Sequence, residues 1–115
     1  MTLLFLVYIG GLNRLVFTRL ASVEDLKPNE IKGIKINGNQ ILLVNLNGAY
    51  YAIGNICTHM GCMLSNGKLV GETVVCSCHA STFDVKTGKV IKGLAFKPEP
   101  SYELKTENGQ VLINL

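Results

Sequence analysis

Every cysteine and histidine of this 115-residue chain lies in one of two short segments. The first is Cys-Thr-His-Met-Gly-Cys at residues 57–62, and the second is Cys-Ser-Cys-His-Ala-Ser at residues 76–81. Thiolate and imidazole groups bind soft and borderline metals, and thiols also form disulfides. Four cysteines in a short chain are therefore compatible with a secreted disulfide scaffold or with a metal site. The spacing has to decide between these two.

The spacing fits a centre that takes two ligands from each segment. Cys57 and His59 are two residues apart, so on an extended loop they project to the same side. Cys76 and His79 come from the second segment. A [2Fe–2S] cluster of the Rieske kind binds two thiolates on one iron and two imidazoles on the other. Two segments that each offer a cysteine and a histidine meet this demand symmetrically.

The two segments together resemble the cluster-binding signature of the Rieske iron–sulfur proteins, C-T-H-x-G-C followed by C-x-C-H-x-S. More narrowly, they are similar to the disulfide-containing branch found in cytochrome bc1 and b6f complexes and in small ferredoxins such as sulredoxin. The resemblance covers residues 17–115 more weakly, as strand order. It implies a [2Fe–2S] cluster with the ligands Cys57, His59, Cys76 and His79, and a disulfide between Cys62 and Cys78.

Four neighbouring residues are expected to tune the cluster. Met60 lies beside His59 and should shield the cluster from water, unless it is a plain core methionine. Gly61 allows close approach of the backbone. Ser81 resembles the family serine whose hydroxyl bonds a bridging sulfide. Phe83 stands where bc1-type proteins carry a tyrosine that bonds a ligand sulfur; the alternative is a core aromatic that points away from the cluster.

The segment Gly-Leu-Ala-Phe-Lys-Pro-Glu-Pro, residues 93–100, resembles the proline loop of the same family. Leu94 and Phe96 depart from the usual pattern of that loop. The covering of the cluster on this side is therefore the part of the resemblance that the sequence supports least.

Three rival interpretations explain the two segments less completely. Zinc sites favour Cys-x2-4-Cys or His-x3-5-His spacings, whereas Cys78 and His79 are adjacent, and six candidate ligands exceed the needs of one tetrahedral ion. A framework of two disulfides would leave both histidines idle. Rieske oxygenases also need a separate iron site of two histidines and a carboxylate, for which no histidine remains. The chain alone is therefore not expected to be an oxygenase, although it can serve as a carrier that feeds one.

The rest of the chain has the pattern of an all-β domain. Asn-Gly pairs favour hairpin turns because both positions accept positive φ, and they occur at 37–38, 47–48, 66–67 and 108–109. Strand-like runs lie at 31–36, 40–46, 49–54, 73–76, 82–85, 89–93, 101–106 and 110–115. Only residues 22–27 indicate a helical turn, with Ser22 as its N-cap. We predict a small antiparallel β-sandwich or barrel with the two cysteine–histidine segments in loops at one end.

The N-terminal residues bear on where in the cell the protein is located. Residues 1–12 are uncharged, but Gly10-Gly11 interrupts the run before the roughly 20 apolar residues that span a membrane. No positive charge precedes it, as a signal peptide would require. We predict an apolar extension at 1–14, either an extra strand or an arm, ahead of a Rieske domain at 15–115. A cytoplasmic location is favoured over membrane association through residues 1–12, with a vestigial anchor or an over-long start site as the alternatives.

Composition and ligand chemistry together define the expected function. The net charge is +3, and the basic residues lie among acids without the basic stripe of a nucleic-acid-binding protein. We expect a one-electron carrier, a Rieske-type ferredoxin and not an enzyme, whose reduction is coupled to protonation of its ligand histidines. Redox partners should dock at the exposed edge formed by His59 and His79. The alternative is an electron-transfer subunit of a larger membrane or oxygenase/oxidoreductase complex.

Overall fold

The computed structural model describes residues 16–58, 61–78, 80–93, 95 and 97–115. Within these residues the chain forms antiparallel strands and two single 3-10 turns, at Val23–Asp25 and Leu64–Asn66. The strands are β1 (Phe17–Ser22), β2 (Glu30–Ile36), β3 (Asn39–Leu46), β4 (Ala49–Gly54), β5 (Lys68–Val70), β6 (Thr73–Val75), β7 (Thr82–Asp84), β8 (Val90–Lys92), β9 (Ser101–Tyr102), β10 (Leu104–Glu107) and β11 (Gln110–Asn114). The all-β, antiparallel fold class predicted from the sequence is confirmed.

The strands make three sheets that enclose two cores. The outer sheet has the order β1-β11-β10, the middle sheet β2-β3-β4-β9, and the site sheet β5-β6-β7-β8. Strand β3 is buried on both faces: Leu42 and Val44 belong to the core shared with the site sheet, and Ile41 and Leu43 to the core shared with the outer sheet. A continuous apolar run is typical of such a central strand. Each of these side chains contributes about 1.5–3 kcal/mol by its burial.

The turn predictions succeed at three of the four Asn-Gly pairs. At 37–38, 47–48 and 108–109 both residues have positive φ. The interpretation of 66–67 as a hairpin turn was wrong, because Asn66 ends a 3-10 turn and Gly67 has a φ of −92°. A Cβ at Gly67 would overlap the carbonyl oxygen of Val75, so this glycine serves the close approach of two chain segments. The hairpin of β5 and β6 turns instead at residues 71–72, where Gly71 has positive φ.

Two other sequence predictions are refined by the fold. Ser22 does cap a helical turn, accepting the Glu24 N–H at 3.3 Å while Asp25 accepts the Ser22 N–H at 2.9 Å, but the turn spans only three residues. The single strand predicted at 101–106 is two strands, because β9 pairs with β4 in the middle sheet and β10 pairs with β11 in the outer sheet. Strands β1 and β5 were not predicted.

The predicted extension at residues 1–14 lies outside the described residues. No helix in the described part of the chain is long and apolar enough to cross a membrane. The division into an extension and a domain at 15–115 therefore stays a prediction.

Candidate metal centre

The two cysteine–histidine segments meet at one end of the site sheet. Loop 1 (residues 57–62) runs from β4 towards the 3-10 turn at Leu64–Asn66, and loop 2 (residues 76–81) connects β6 to β7. The first residue of each loop, Cys57 or Cys76, is only 2% exposed and belongs to the core between the middle and site sheets. The fold thus brings together two cysteines that are 19 positions apart in the sequence.

A disulfide joins the two loops. It links Cys62 to Cys78, with their Cα atoms 6.5 Å apart, and this confirms the pairing that the resemblance implied. The sulfur of Cys76 lies within 4.8 Å of both disulfide sulfurs. A centre bound to Cys76 would therefore lie directly beside the bridge. Because the bridge uses two of the four cysteine sulfurs, a zinc site made of four thiolates is excluded while it is intact.

The two loops share one backbone frame. In each loop the N–H of the first residue donates to the carbonyl of the sixth, and the N–H of the fifth donates to the carbonyl of the first. These bonds are Cys57–Cys62 at 2.7 Å, Gly61–Cys57 at 2.9 Å, Cys76–Ser81 at 2.8 Å and Ala80–Cys76 at 3.1 Å. The fifth residue has positive φ in both loops, 79° at Gly61 and 60° at Ala80. The repeated frame gives Cys57 and Cys76 equivalent places.

Asn55 anchors the base of loop 1. Its side-chain oxygen accepts the Ser65 N–H at 2.8 Å, and its amide nitrogen donates to Ser65 Oγ at 3.1 Å. Its backbone N–H donates to the Gln40 carbonyl at 3.0 Å, and its carbonyl accepts the Leu64 N–H at 2.7 Å. Asn55 is 1% exposed, and these bonds give each of its four polar groups a partner inside the protein. The sequence reasoning missed it, although a single amide between a strand and a cysteine was the available signal.

A second buried polar residue, Glu99, also contacts loop 1 and was missed. Its carboxylate Oε2 accepts the Thr58 N–H at 3.1 Å, while Thr58 Oγ1 donates to the Lys97 carbonyl at 2.6 Å. Burial raises the pKa of Glu99 to about 7, and the Thr58 N–H opposes this rise. Within the described residues the ion pairs are Lys86–Glu72 and Lys105–Glu107, so no cation there offsets the burial of Glu99. The sequence feature that could have drawn attention to Glu99 is its position between two prolines.

Ser81 closes loop 2 and is fully buried. Its hydroxyl oxygen accepts the Ala95 N–H at 3.1 Å. Gly93 packs on its backbone so closely that a Cβ there would lie 2.5 Å from the Ser81 Cα. Among the described residues the Ser81 hydroxyl donates to no acceptor within hydrogen-bond distance. A buried hydroxyl with an unused hydrogen fits a site that supplies an acceptor of its own, such as a sulfide.

The remaining predicted site residues divide between the core and the loop tips. Phe83 is fully buried in the same core as Cys57 and Cys76. It lies on β7, two residues after Ser81, and side chains two positions apart along an extended chain point to the same face. The loop tips are exposed at four described positions, Gly61, Ser77, Cys78 and Ala80. His59, Met60 and His79 lie outside the described residues, so their assigned roles stay predictions.

Comparison with known proteins decides between the kinds of metal centre that these loops can form. Residues 16–103 match the family model of the Rieske [2Fe-2S] domain. The chain belongs to the Rieske [2Fe–2S] family. The match covers both loops, the disulfide and the segment at 93–100, which are the parts of the chain that the site requires.

Relatives within the Rieske family include ferredoxins. The chain is 35% identical over 95 residues to the ferredoxin component of the naphthalene 1,2-dioxygenase/salicylate 5-hydroxylase systems of Ralstonia sp., covering 83% of this chain and 91% of that one. It is 29% identical over 111 residues to sulredoxin of Sulfurisphaera tokodaii, covering 88% and 100%. Among solved structures, the ferredoxin of Sphingomonas yanoikuyae B1 matches with a TM-score of 0.82 and 27% identity, covering 86% and 98%.

This Rieske protein is accordingly an electron carrier of the ferredoxin type with a [2Fe–2S] cluster, and it is not a catalyst. Such a cluster takes up and releases one electron at a time. The described residues fit the cluster: two buried cysteines at equivalent loop positions, a disulfide beside one of them, and the unused hydroxyl hydrogen of Ser81. The predicted family, fold, cofactor and function class are confirmed.

Proposed function

We propose that the chain carries single electrons on a cluster held by Cys57, His59, Cys76 and His79. The observation that carries this ligand set is the shared frame of the two loops, which gives Cys57 and Cys76 equivalent, buried places. The disulfide uses the other two cysteines. The two histidines complete the set that a Rieske cluster requires, two thiolates and two imidazoles.

The same ligand set explains why reduction should be coupled to proton uptake. Neutral imidazoles in place of two thiolates make electron uptake easier, which puts Rieske potentials at about −150 to +300 mV against about −400 mV for plant-type clusters. A histidine bound to ferric iron is a stronger acid than the same histidine bound to ferrous iron. His59 and His79 should therefore take up a proton more readily in the reduced protein.

The tips of loops 1 and 2 are the proposed docking surface for a redox partner. Gly61, Ser77, Cys78 and Ala80 are exposed there, whereas Cys57 and Cys76 are buried at the loop bases. Ile56 and Met63 flank loop 1 and pair with each other in an isolated β-bridge. Their apolar side chains are 39% and 41% exposed. An exposed edge with apolar neighbours suits a partner that must come close to the cluster and then dissociate.

The partner we propose is the oxygenase component of an aromatic-ring dioxygenase system. The support is the likeness to the ferredoxin component of such systems in Ralstonia sp., which covers most of both chains. A cytoplasmic location goes with this proposal, and the disulfide does not contradict it, since some intracellular proteins carry disulfides. The second candidate is an electron-transfer subunit of a larger complex, favoured by the uncharged run at residues 1–12.

The ligand set can be tested on purified protein by absorption and EPR spectra with iron and sulfide analysis. The wild type should contain one [2Fe–2S] cluster and show a Rieske EPR signal after reduction. Cys57→Ser, Cys76→Ser, His59→Ala and His79→Ala should each abolish that signal because an iron loses a protein ligand. Thr58→Ser is the matched control within loop 1. A histidine variant that kept full iron and an unchanged signal would overturn the ligand set.

Two experiments distinguish the candidate functions: electron transfer in a reconstituted system, and fractionation of cells. A ferredoxin of a dioxygenase system should pass electrons from a reductase to an isolated oxygenase component and occur in the soluble fraction. A subunit of a larger complex should co-purify with other chains or sediment with membranes. Deletion of residues 1–12 should leave the first behaviour intact and abolish the second.

A further inference from the structure

Among the described residues, four hydrogen bonds join the segment at 97–100 to loop 1 and its surroundings. Two of them end on Thr58, one at its N–H and one at its hydroxyl. The full set is Thr58 Oγ1 to the Lys97 carbonyl at 2.6 Å, Thr58 N–H to Glu99 Oε2 at 3.1 Å, Glu99 N–H to the Gly88 carbonyl at 2.8 Å, and Gly54 N–H to the Pro100 carbonyl at 2.9 Å. From the segment itself one side chain takes part, that of Glu99; the other groups that it contributes belong to its backbone.

The surroundings of Glu99 are shaped to hold its carboxylate on loop 1. Its Oε1 lies 2.5 Å from the place that a Cβ of residue 54 would take, so only glycine leaves room there. On the other side, Gly88 has a φ of 81° and would overlap the Glu99 carbonyl if it carried a Cβ. Glu99 is 4% exposed. Gly54 thus leaves room for the carboxylate and Gly88 for the backbone of Glu99, and the described partner of the buried carboxylate is one peptide N–H.

We propose that Glu99 is a positioning residue for the cluster: by accepting the Thr58 N–H, its carboxylate fixes the peptide that joins the ligand Cys57 to Thr58, the residue before the ligand His59. The inference rests on the ligand set proposed above. The contact spans 41 positions of sequence, so it ties loop 1 to a distant segment and does not form within the loop itself.

The chemistry of the contact explains why an acceptor is needed at this point. The shared frame of loop 1 uses the N–H groups of Cys57 and Gly61 and leaves that of Thr58 outside it. Thr58 is only partly exposed. Without an acceptor its N–H would lose its bond to protein, and the peptide could rotate together with the ligands on either side. Groups that orient a metal ligand from outside typically change metal affinity by about 10–100-fold when they are removed.

Three substitutions of Glu99 distinguish the effect of side-chain length from that of charge, and a fourth variant is a control. Glu99→Gln keeps an oxygen at the same reach without charge. Glu99→Asp keeps the charge but is shorter by one methylene, and Glu99→Ala has neither. Glu103→Ala is the control, because Glu103 is exposed on the same stretch of chain and its side chain makes no hydrogen bond within the described residues. The loss of the visible cluster spectrum to an iron chelator is followed in each purified holoprotein, with hydrogen exchange by mass spectrometry as an independent readout.

The expected result is that Glu99→Ala and Glu99→Asp lose the cluster about tenfold faster than wild type or more, while Glu99→Gln and Glu103→Ala do not. Exchange in a peptide covering residues 55–62 should rise in the same two variants and stay unchanged in β3. The proposal would be overturned if Glu99→Ala lost the cluster at the same rate as wild type, or if Glu99→Gln and Glu99→Ala lost it at the same rate. A rise in hydrogen exchange throughout the chain would also overturn it. If wild type shows no Rieske spectrum, the ligand set fails instead.

Discussion

Loops 1 and 2 have the same backbone frame but are supported by different chemistry. Loop 1 is held by buried polar side chains that come from outside it, Asn55 at its base and Glu99 at Thr58. Loop 2 is held through its own Ser81, whose hydroxyl accepts the Ala95 N–H and whose backbone packs on Gly93. The residue with positive φ is glycine in loop 1 and alanine in loop 2. The same pattern of backbone hydrogen bonds is therefore supported by two different sets of contacts.

This difference suggests that the supports of the two loops affect different properties of the protein. The support of loop 1 contains an ionisable group, so it should make cluster retention and stability depend on pH. The support of loop 2 includes the Ser81 hydroxyl, which donates to no described acceptor, and Phe83 follows two positions later, so this side should act on the reduction potential. The disulfide belongs to both loops and should matter to each. The following variants test these expectations in order of expected effect.

Removing the bridge between the loops should have the largest effect on stability. Cys62→Ser with Cys78→Ser opens a loop of about 17 residues, which in the entropic model lowers the free energy of unfolding by roughly 3 kcal/mol. We expect the double variant to assemble some cluster but to lose it at a lower temperature, as followed by the visible spectrum during heating. Equal melting of the variant and the oxidised wild type, or free thiols at both positions in the native protein, would contradict this.

The carboxylate on loop 1 should make stability depend on pH in one direction. Because burial raises the pKa of Glu99 from 4.5 to about 7, the unfolded chain loses this proton at a lower pH than the folded one. Between these two values the contribution of Glu99 to the free energy of unfolding falls as pH rises, by roughly 3 kcal/mol in total, and it is constant outside them. Glu99→Gln has no such proton.

Thermal unfolding of the two holoproteins over pH 4–8 measures this contribution. Glu99→Gln should gain stability relative to wild type as pH rises from about 4.5 to 7, with a constant difference above that range. Glu103→Gln, which makes the same change at an exposed position, is the control. A difference between Glu99→Gln and wild type that is the same at pH 4.5 and pH 7.5 would show that Glu99 does not titrate in this range.

Exchanging glycine and alanine at the fifth position of each loop tests the shared frame directly. Gly61→Ala places a Cβ that has no described atom within 4 Å, and the left-handed backbone there should cost about 1 kcal/mol. Ala80→Gly removes the same penalty and should stabilise by up to about 1 kcal/mol. Chemical denaturation of both holoproteins gives the two values. Shifts of the same sign would mean that the two positions are not equivalent.

The smallest effects should be on the potential, from the loop 2 side. Ser81→Ala should lower the midpoint potential, because a hydrogen bond to sulfur stabilises the extra negative charge of the reduced state. Phe83→Tyr should raise it, if a hydroxyl at that buried place reaches a ligand sulfur. Only part of a bond worth about 1.5–3 kcal/mol differs between the redox states, so shifts of tens of millivolts are expected. Redox titrations followed by absorption measure both.

The Phe83 test has a defined negative outcome. An intact cluster with an unchanged potential in Phe83→Tyr would mean that this side chain is a core aromatic pointing away from the sulfur. Thr82→Ser is a suitable control, since Thr82 is buried on the same strand and its hydroxyl already donates to the Ala80 carbonyl at 3.1 Å.

Features that depend on neighbouring residues or on the number and type of ligands could be predicted from the amino-acid sequence. Strand-like runs and Asn-Gly pairs located most strands and three turns, because strand propensity and positive φ are largely local properties. Counting thiols against imidazoles favoured a Rieske centre over zinc, because the two centres demand different ligands. The pairing of Cys62 with Cys78 came from the resemblance to a family, and the structure confirms it.

The contacts that hold the two loops became visible only in the folded protein. The Gly67 contact with Val75, the division of residues 101–107 between two sheets, and the bond from Thr58 to Glu99 each join parts of the chain that no local pattern connects. Glu99 in the sequence is one acid among eight. It becomes part of the site because folding removes water from its carboxylate and leaves a peptide N–H beside it, and both depend on segments 41 positions apart coming together.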